Sequence, residues 1–184
     1  MIKPLLCTID KNRKDLRVYP SAVGLVISIL IIAVVAIFTH NHFRDNPAHL
    51  HSENGSSLIR QGLHLDAIEE FNKAIKLSPN LAEPYLHRGY AYSLLGEYQK
   101  AIENYDIGIN LNPTIALAYD SRGAALHNIG EILLAIDDYD RALELDPTLS
   151  KVYLNRSIAY SQLGEHEKSI ADKTRACAQN EEFC

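Results

Sequence analysis

The sequence predicts an all-α protein in which one membrane-spanning helix precedes a solenoid of paired helices. Residues 21–38, SAVGLVISILIIAVVAIF, contain no charged side chain, as is typical of a helix in a bilayer. From about residue 48 onward, small, aromatic and proline residues recur every 34 positions, which indicates a repeat protein. Within each repeating unit, a glycine separates two stretches with helical apolar spacing, and these stretches predict paired helices.

The apolar segment is long enough to span a membrane. At a rise of about 1.5 Å per residue, its helix is about 27 Å long, close to the thickness of the hydrocarbon layer. Five basic residues precede the segment and one, Arg44, closely follows it, so the positive-inside rule places the N-terminus in the cytoplasm. We therefore expect a basic cytoplasmic tail (1–20), a transmembrane helix (21–39), a linker (40–47) and an exported repeat domain (48–184) on the periplasmic or luminal side.

Two alternatives to an uncleaved anchor stay open. A cleavable signal peptide would have an apolar core of roughly 7–15 residues followed by a small-residue cleavage site. Here the apolar core is longer, and the small-residue candidate at 34–36 lies inside it. The segment could also be a buried helix of a soluble domain. Its length and its flanking charges favour the anchor.

Four histidines, His40, His42, His49 and His51, follow the apolar segment as two His-x-His pairs. Imidazoles at this spacing can bind Zn²⁺ or Cu²⁺. No cysteine or fixed scaffold completes such a site, and Pro47 interrupts the segment, so a flexible polar linker is the favoured interpretation. We expect no bound metal and no other cofactor.

The recurring residues keep one register, without insertion, from about residue 48 to residue 181. Glycine, alanine, aromatic and proline positions all follow the same spacing, which chance does not produce over four copies. The positions are Gly62, Gly96, Gly130 and Gly164; Ala67, Ala101 and Ala135, with Ser169 last; Phe71, Tyr105 and Tyr139; and Pro79, Pro113 and Pro147.

This pattern resembles the tetratricopeptide repeat, a helix–turn–helix unit of 34 residues. The second copy carries the motif as Tyr85, Gly89, Tyr92, Tyr98, Ala101, Tyr105, Gly108 and Pro113. The resemblance covers about three quarters of the chain in four copies, at about 48–81, 82–115, 116–149 and 150–183. It implies an α-solenoid in which stacked neighbours bury the apolar faces that a single repeat leaves exposed.

Local chemistry supports the same architecture. Gly89 and Ala101 lack bulk where the paired helices are expected to cross, so the helix axes can approach closely. Gly96 supplies backbone freedom for the tight turn between them. Pro113 ends the second helix, because proline and the residue before it disfavour a continued helix.

The first and last copies depart from the pattern. The first copy has His51 and Asn54 where aromatic and apolar residues are usual, so its first helix is expected to fray. The last copy has Lys173 at an aromatic position and Glu181 in place of proline. A polar last helix is typical of the solvent-facing cap that a solenoid needs.

No catalytic motif accompanies the repeats. The chain has no GxxxxGK[ST] loop, no GxSxG and no HExxH, so we expect it not to be an enzyme. Acidic residues outnumber basic ones by 23 to 18, and nucleic-acid binding would require a clustered basic face. The acidic cluster at 137–140 predicts a solvated helix face. Arg88, Arg122 and Arg156 recur beside the small position and are expected to pair with acidic neighbours.

The chain has three cysteines. Cys7 is expected to stay reduced in the cytoplasm, whereas Cys177 and Cys184 end the exported part, where an oxidising compartment permits a disulfide. A continuous helix would separate the Cα atoms of this pair by about 10 Å, which is too far to bridge. A bridge therefore requires the last helix to end near residues 179–180 and the chain to fold back. The sequence leaves the bridged and the free state open.

The resemblance implies that the first helices of the repeats line a groove for a peptide or a partner helix. The groove positions are Glu83, Leu86, His87, Tyr90, Leu117, Asp120, Ser121, Ala124, His127, Lys151, Leu154, Asn155 and Ile158. Ser52, Glu53, Ser56 and Ile59 occupy the equivalent positions of the first copy. For any one of these residues, ordinary helix packing is the alternative role.

The resemblance also excludes one subclass. Family members that recognise chaperone tails hold a C-terminal carboxylate with lysine, arginine and asparagine at set groove positions. In copies one to three those positions hold Ser52, Ser56, His87, Leu117 and Ser121, none of which is lysine or arginine. Starting one copy later includes Lys151 and Asn155 but still lacks the full set. We therefore do not expect a chaperone-tail receptor.

Together these features predict a non-catalytic, membrane-anchored scaffold for protein–protein interaction, with envelope complex assembly as the expected setting. Its partner is a protein or peptide, with no nucleic acid, and the oligomeric state is not defined by the sequence. One alternative is a secreted soluble adaptor or effector after signal-peptide cleavage. Another is an import receptor on an organelle surface, which requires cytosolic repeats and disagrees with the charge asymmetry.

Overall fold

The structure, a computed structural model, describes residues 29–33 and 46–184. The chain divides into two compact units, Met1–Phe43 and Arg44–Cys184. In the first unit, residues 29–33 are helical and their side chains are exposed. The remainder of the predicted transmembrane helix lies outside the described residues. Within the described part of the chain, no helix has the length and apolarity needed to cross a membrane.

Residues 46–184 form an all-α solenoid, as the sequence predicts. Eight helices in this part pair as hairpins, and each hairpin packs against the next one. The helices are α1 (Pro47–Arg60), α2 (His64–Leu77), α3 (Ala82–Leu94), α4 (Tyr98–Leu111), α5 (Ala116–Asn128), α6 (Ile132–Leu145), α7 (Ser150–Gln162) and α8 (His166–Gln179), followed by the 3-10 helix Glu181–Phe183. The four hairpins coincide with the four predicted repeats.

The turn inside each repeat depends on a glycine. Gly96 has a φ of 76°. Its N–H donates to the carbonyl of Ser93, and the N–H of Glu97 donates to the carbonyl of Tyr92, both at 3.0 Å. These bonds satisfy carbonyls that the end of α3 leaves without a partner. Any residue with a Cβ would be strained in this left-handed conformation, which explains the recurrence of the turn glycine.

The small residue in the middle of the first helix is also structural. A Cβ added to Gly89 would lie 3.1 Å from the carbonyl oxygen of Ala101 and 3.0 Å from the ring of Tyr105. The close approach of α3 and α4 therefore favours a glycine at this position. The aromatic positions Phe71, Tyr105 and Tyr139 fill the core and are 0%, 2% and 2% exposed. The recurring small and aromatic residues thus build the solenoid.

Arginines on the first helices connect second helices of neighbouring repeats. Arg122 donates from Nε and Nη2 to the carboxylate of Asp138 on α6, at 2.8 and 2.6 Å, and from Nη1 to Asp106 on α4 at 2.6 Å. Arg156 binds Asp172 and Asp140 in the same arrangement. The predicted pairing with acidic residues is confirmed for these two arginines.

Two expectations about charged residues are wrong. Arg88 binds the amide oxygens of Asn104 and Asn72, at 2.7 and 2.5 Å, so its partners are neutral rather than acidic. Asp138 and Tyr139 are buried rather than part of a solvated face. Burial of the Asp138 carboxylate is tolerated because the guanidinium group of Arg122, on the first helix of the same repeat, replaces water around it.

The first helix is complete at its N-terminus, so the predicted fraying is wrong. Helix α1 starts at Pro47, whose fixed φ suits the first turn. The side chain of Asn46 accepts a hydrogen bond from the N–H of Ala48 at 3.0 Å. This cap satisfies one of the N–H groups that a helix start leaves without an intrahelical partner.

His49 and His51 belong to α1 rather than to a flexible linker. Nδ1 of His51 lies 2.6 Å from the carboxylate of Glu70 on α2, which also binds Lys73. The hydrogen bonds from Lys73 and His51 lower the pKa of Glu70. Over residues 29–33 and 46–184, no group of three histidine, cysteine or acidic side chains is placed to hold a metal ion. The other two histidines, at positions 40 and 42, lie outside the described residues.

The chain folds back after the last helix. Helix α8 ends at Gln179, the 3-10 helix follows, and Cys177 and Cys184 form a disulfide with their Cα atoms 4.8 Å apart. The helix thus ends, and the chain reverses, where a disulfide between these two cysteines was expected to require it. Most of α8 is exposed, with Asp172 and Ala176 as its buried residues. Such exposure suits the predicted polar cap.

Candidate functional site on the first helices

The first helices of successive repeats, α1, α3, α5 and α7, lie side by side. Ser56 Oγ is 3.3 Å from Nδ1 of His87 across α1 and α3. Asn155 on α7 donates to the carboxylate of Asp120 on α5 at 2.9 Å. The structure therefore places groove positions of neighbouring first helices side by side, and the predicted groove residues of the last three repeats are together called the first-helix face. It comprises residues 83, 86, 87, 90, 117, 120, 121, 124, 127, 151, 154, 155 and 158.

Large apolar side chains are exposed on this face in three successive repeats. Tyr90 on α3, Leu117 on α5 and Ile158 on α7 are 46%, 59% and 46% exposed. Single exposed apolar residues are common on protein surfaces and need no explanation. Recurrence on neighbouring helices, however, offers apolar contact area to an extended peptide or a helix.

Leu86 has a different role from these residues. Its side chain occupies the space beside Gly108 on α4, where an added Cβ would collide with it. It also packs against the main hydrophobic core. Leu86 is therefore a packing residue, the alternative that applies to each groove position.

Two histidines of the face are half-buried. His87 lies 5.7 Å from the ring of Phe71, and burial lowers its pKa, with Glu83 partly opposing the shift. The imidazole is thus neutral at pH 7. Nε2 of His127 is enclosed and has no hydrogen-bond partner within residues 46–184. Nδ1 of His87 lies 4.0 Å from a carboxylate oxygen of Glu83.

Asp120 places a half-buried carboxyl group in the middle of the face. Burial raises its pKa, whereas the hydrogen bond from Asn155 and the charge of Lys151 lower it. The hydroxyl of Tyr105 on α4 reaches the same region and bonds to Ser93 and Ser121. The face therefore combines exposed apolar side chains with a polar strip that can orient a bound chain.

Sequence reasoning missed two features of the surface. Leu65, Leu133 and Ile170 are exposed near the starts of second helices. A depression of about 350 Å³ lies at the turns of the second and third repeats and is lined by Gly96, Glu97, Tyr98, Gln99, Lys100 and Ile129. No sequence signal identifies them, because their residues occupy positions that the repeat pattern assigns to turns and helix starts.

Family models of the repeat match most of this unit. A model described as TPR repeat matches residues 55–96, and models described as tetratricopeptide repeat match residues 82–115, 116–149 and 138–171. No curated protein matches the chain by sequence.

Solved structures share the fold. The crystal structure of MamA is 27% identical, with a TM-score of 0.69, and the match covers 79% of this chain and 85% of that one. MamA from Desulfovibrio magneticus RS-1, residues 41 to the end, is 25% identical, with a TM-score of 0.68 and coverage of 74% and 77%. The first TPR domain of Spaghetti (RPAP3), bound to the HSP90 peptide SRMEEVD, is 26% identical, with a TM-score of 0.64 and coverage of 65% and 96%.

Proposed function

Since the chain belongs to the tetratricopeptide repeat family, we propose that it is a non-catalytic scaffold that binds a peptide or helix of another protein on its first-helix face. The exposure of Tyr90, Leu117 and Ile158 on adjacent first helices carries this proposal. The peptide-bound repeat domain of Spaghetti supports it, because a domain of similar fold holds a peptide. Binding, rather than catalysis, also agrees with the absence of a catalytic motif in the sequence.

The partner that we propose is not an acidic chaperone tail. Lys151 is the one lysine or arginine among the residues of the first-helix face. Recognition of a terminal carboxylate together with acidic side chains would require several basic groups at hydrogen-bond distance. The chemistry of the face thus differs from that of a carboxylate clamp.

We propose further that residues 21–39 anchor the chain in a membrane, with the N-terminus in the cytoplasm and the repeats exported to a site of envelope complex assembly. The apolar length and the basic residues before it support this arrangement. The disulfide between Cys177 and Cys184 also supports export, because such bonds persist in oxidising compartments. A cleaved, secreted adaptor is the alternative, and N-terminal sequencing of the mature protein distinguishes the two, since an anchored chain retains its first residues.

A fusion of alkaline phosphatase after Cys184 tests the topology in a bacterium. The enzyme is active only where its disulfides form, so an exported repeat domain gives an active fusion. An expressed but inactive fusion would contradict the topology and would favour an import receptor with cytosolic repeats.

Crosslinking in cells, followed by mass spectrometry, tests the binding function. Tyr90→Asp and Leu154→Asp introduce charge into the first-helix face and should abolish the major crosslinked partner. Leu65→Asp, on an exposed position of α2, is the matched control and should leave that partner in place. A partner retained by both first-helix variants would refute the proposed binding surface.

A further inference from the structure

Asp120 occupies a position that carries leucine in both neighbouring repeats. The equivalent residues, 34 positions away on either side, are Leu86 and Leu154. All three side chains are partly buried. A carboxyl group at an otherwise apolar position costs stability, because burial removes water from a group that carries charge. Such a cost suggests a role in binding rather than in packing.

The carboxylate of Asp120 has no cationic partner at ion-pair distance within residues 46–184. Asp138 and Asp172, by contrast, are held by Arg122 and Arg156. The hydrogen bond that Asp120 accepts comes from the neutral amide of Asn155 and uses Oδ1. One carboxylate oxygen and the negative charge therefore remain available to a ligand.

The surroundings of Asp120 suit a cation on an aliphatic stem. Leu117 and Ala124 lie one helical turn before and after it on the same face of α5. The carbon chain of a lysine or arginine can pack on such apolar surface while its charged end reaches the carboxylate. Glu83, on the neighbouring first helix, adds negative charge to the same face.

We propose that Asp120 determines specificity on the first-helix face by accepting a lysine or arginine side chain from an otherwise apolar peptide segment. This inference rests on the proposed binding function and names the class of its partner. The exposed Lys151 acts on the Asp120 carboxylate through its charge but forms no ion pair with it, so the direct contact is left to the incoming cation. A charge-assisted hydrogen bond in a partly dry site gives the preference for a cation over a neutral side chain of the same length.

Peptide pools provide the probe, because they need no knowledge of the natural partner. The pools contain short peptides with randomised flanks and a fixed central lysine, arginine, norleucine or glutamate, and they are bound to the full-length chain in detergent. We expect the lysine and arginine pools to bind about tenfold better than the norleucine pool, and the glutamate pool to bind worst.

Variants assign that preference to one residue. Asp120→Leu restores the leucine of the neighbouring repeats, and Asp120→Asn keeps the shape of the side chain; both should remove the tenfold preference while the chain stays folded. Glu103→Gln, which removes an exposed charge on α4, is the control and should keep the preference. A preference retained by both Asp120 variants would overturn the assignment.

The outcomes separate this inference from the binding function. Equal binding of all pools, reduced by Tyr90→Asp, would overturn the role of Asp120 and leave the binding surface in place. Binding of every pool that is unaffected by Tyr90→Asp would overturn both, because the peptides would then occupy another surface.

Discussion

The first and second helices of each repeat differ in which residues recur from one repeat to the next. In the second helices, the same kinds of residues return in the same places, as in Phe71, Tyr105 and Tyr139, and they are buried. On the first-helix face, equivalent positions carry unrelated residues, as in Glu83, Leu117 and Lys151. Residues that hold the stack recur because every interface between repeats has the same geometry. Under the proposed function, the residues of the first-helix face vary because each would contact a different part of the partner.

The largest expected effect tests this division directly. Tyr139→Ala should destabilise the fold by about 3–5 kcal/mol, because it opens a cavity in the core. Ile158→Ala, on the exposed first-helix face, should change stability by no more than about 0.5 kcal/mol. Urea denaturation followed by circular dichroism measures both. Similar losses in the free energy of unfolding for the two variants would contradict the division between structural residues and proposed binding residues.

A second prediction concerns the arginines that connect the repeats. Arg122→Ala should cost about 3 kcal/mol, because it leaves the buried carboxylate of Asp138 without its partner. Arg88→Ala should cost about 1 kcal/mol, because it removes hydrogen bonds to the neutral side chains of Asn104 and Asn72. Both arginines also lie over a tyrosine ring, at 5.6 and 5.7 Å, so that contribution is common to the two variants.

The same urea experiment at high salt checks the electrostatic origin of that difference. Salt screens the interaction of Arg122 with Asp138 more than that of Arg88 with its neutral partners. The difference in stability loss between the two variants should therefore become smaller. Equal losses of stability in the two arginine variants at low salt would show that the charge of the partners is unimportant.

A third and smaller effect is expected at Asp120. Burial raises the pKa of this carboxyl group in the folded state above its ordinary value of 3.8, so the folded chain binds the proton more tightly than the unfolded chain. The free-energy cost of burying the charged Asp120 carboxylate is absent below pH 3.8, and it appears as the pH rises through the pKa of the folded state. Asp120→Asn should therefore be more stable than the native chain by up to about 0.5 kcal/mol at pH 7 and no more stable at low pH. Urea titrations at both pH values measure this, and a variant less stable at pH 7 would contradict it.

The fourth prediction concerns the disulfide between Cys177 and Cys184, whose reduction should change the stability of the stack little. Thiol titration of the denatured, unreduced chain should detect Cys7 alone, and reduction should release two further thiols. The disulfide closes the C-terminal cap, whereas the N-terminal end of the stack relies on the Asn46 cap of α1. Detection of three thiols before reduction would show that the disulfide is absent and would contradict this difference between the two ends of the stack.

The fold was largely predictable because repetition multiplies a weak local signal. One Gly96 is a turn residue of low specificity, but four glycines 34 positions apart define a hairpin register. The partners of the arginines were only partly predictable. Asp138 and Asp140 belong to one acidic cluster, yet they serve different arginines, because residues 16 positions away on either side approach each guanidinium group.

The candidate binding site was less predictable than the fold. Family resemblance gave the helix face but not the state of each side chain on it. Leu86 packs on Gly108 whereas Leu117 is exposed, although both occupy groove positions. The two leucines occupy different positions within the repeat, since Leu117 corresponds to Glu83, and the sequence does not report that Leu86 lies over Gly108. The half-buried state of Asp120 likewise depends on its contact with Asn155 in the next repeat.

Site-specific photo-crosslinking in cells tests the binding surface most directly. A photoreactive amino acid replaces either Leu117 on the first-helix face or Leu133 on α6, two exposed leucines of the same repeat. A discrete partner adduct is expected from position 117 and none from position 133. An adduct from position 133 with none from position 117 would contradict the claim that the first helices form the binding surface.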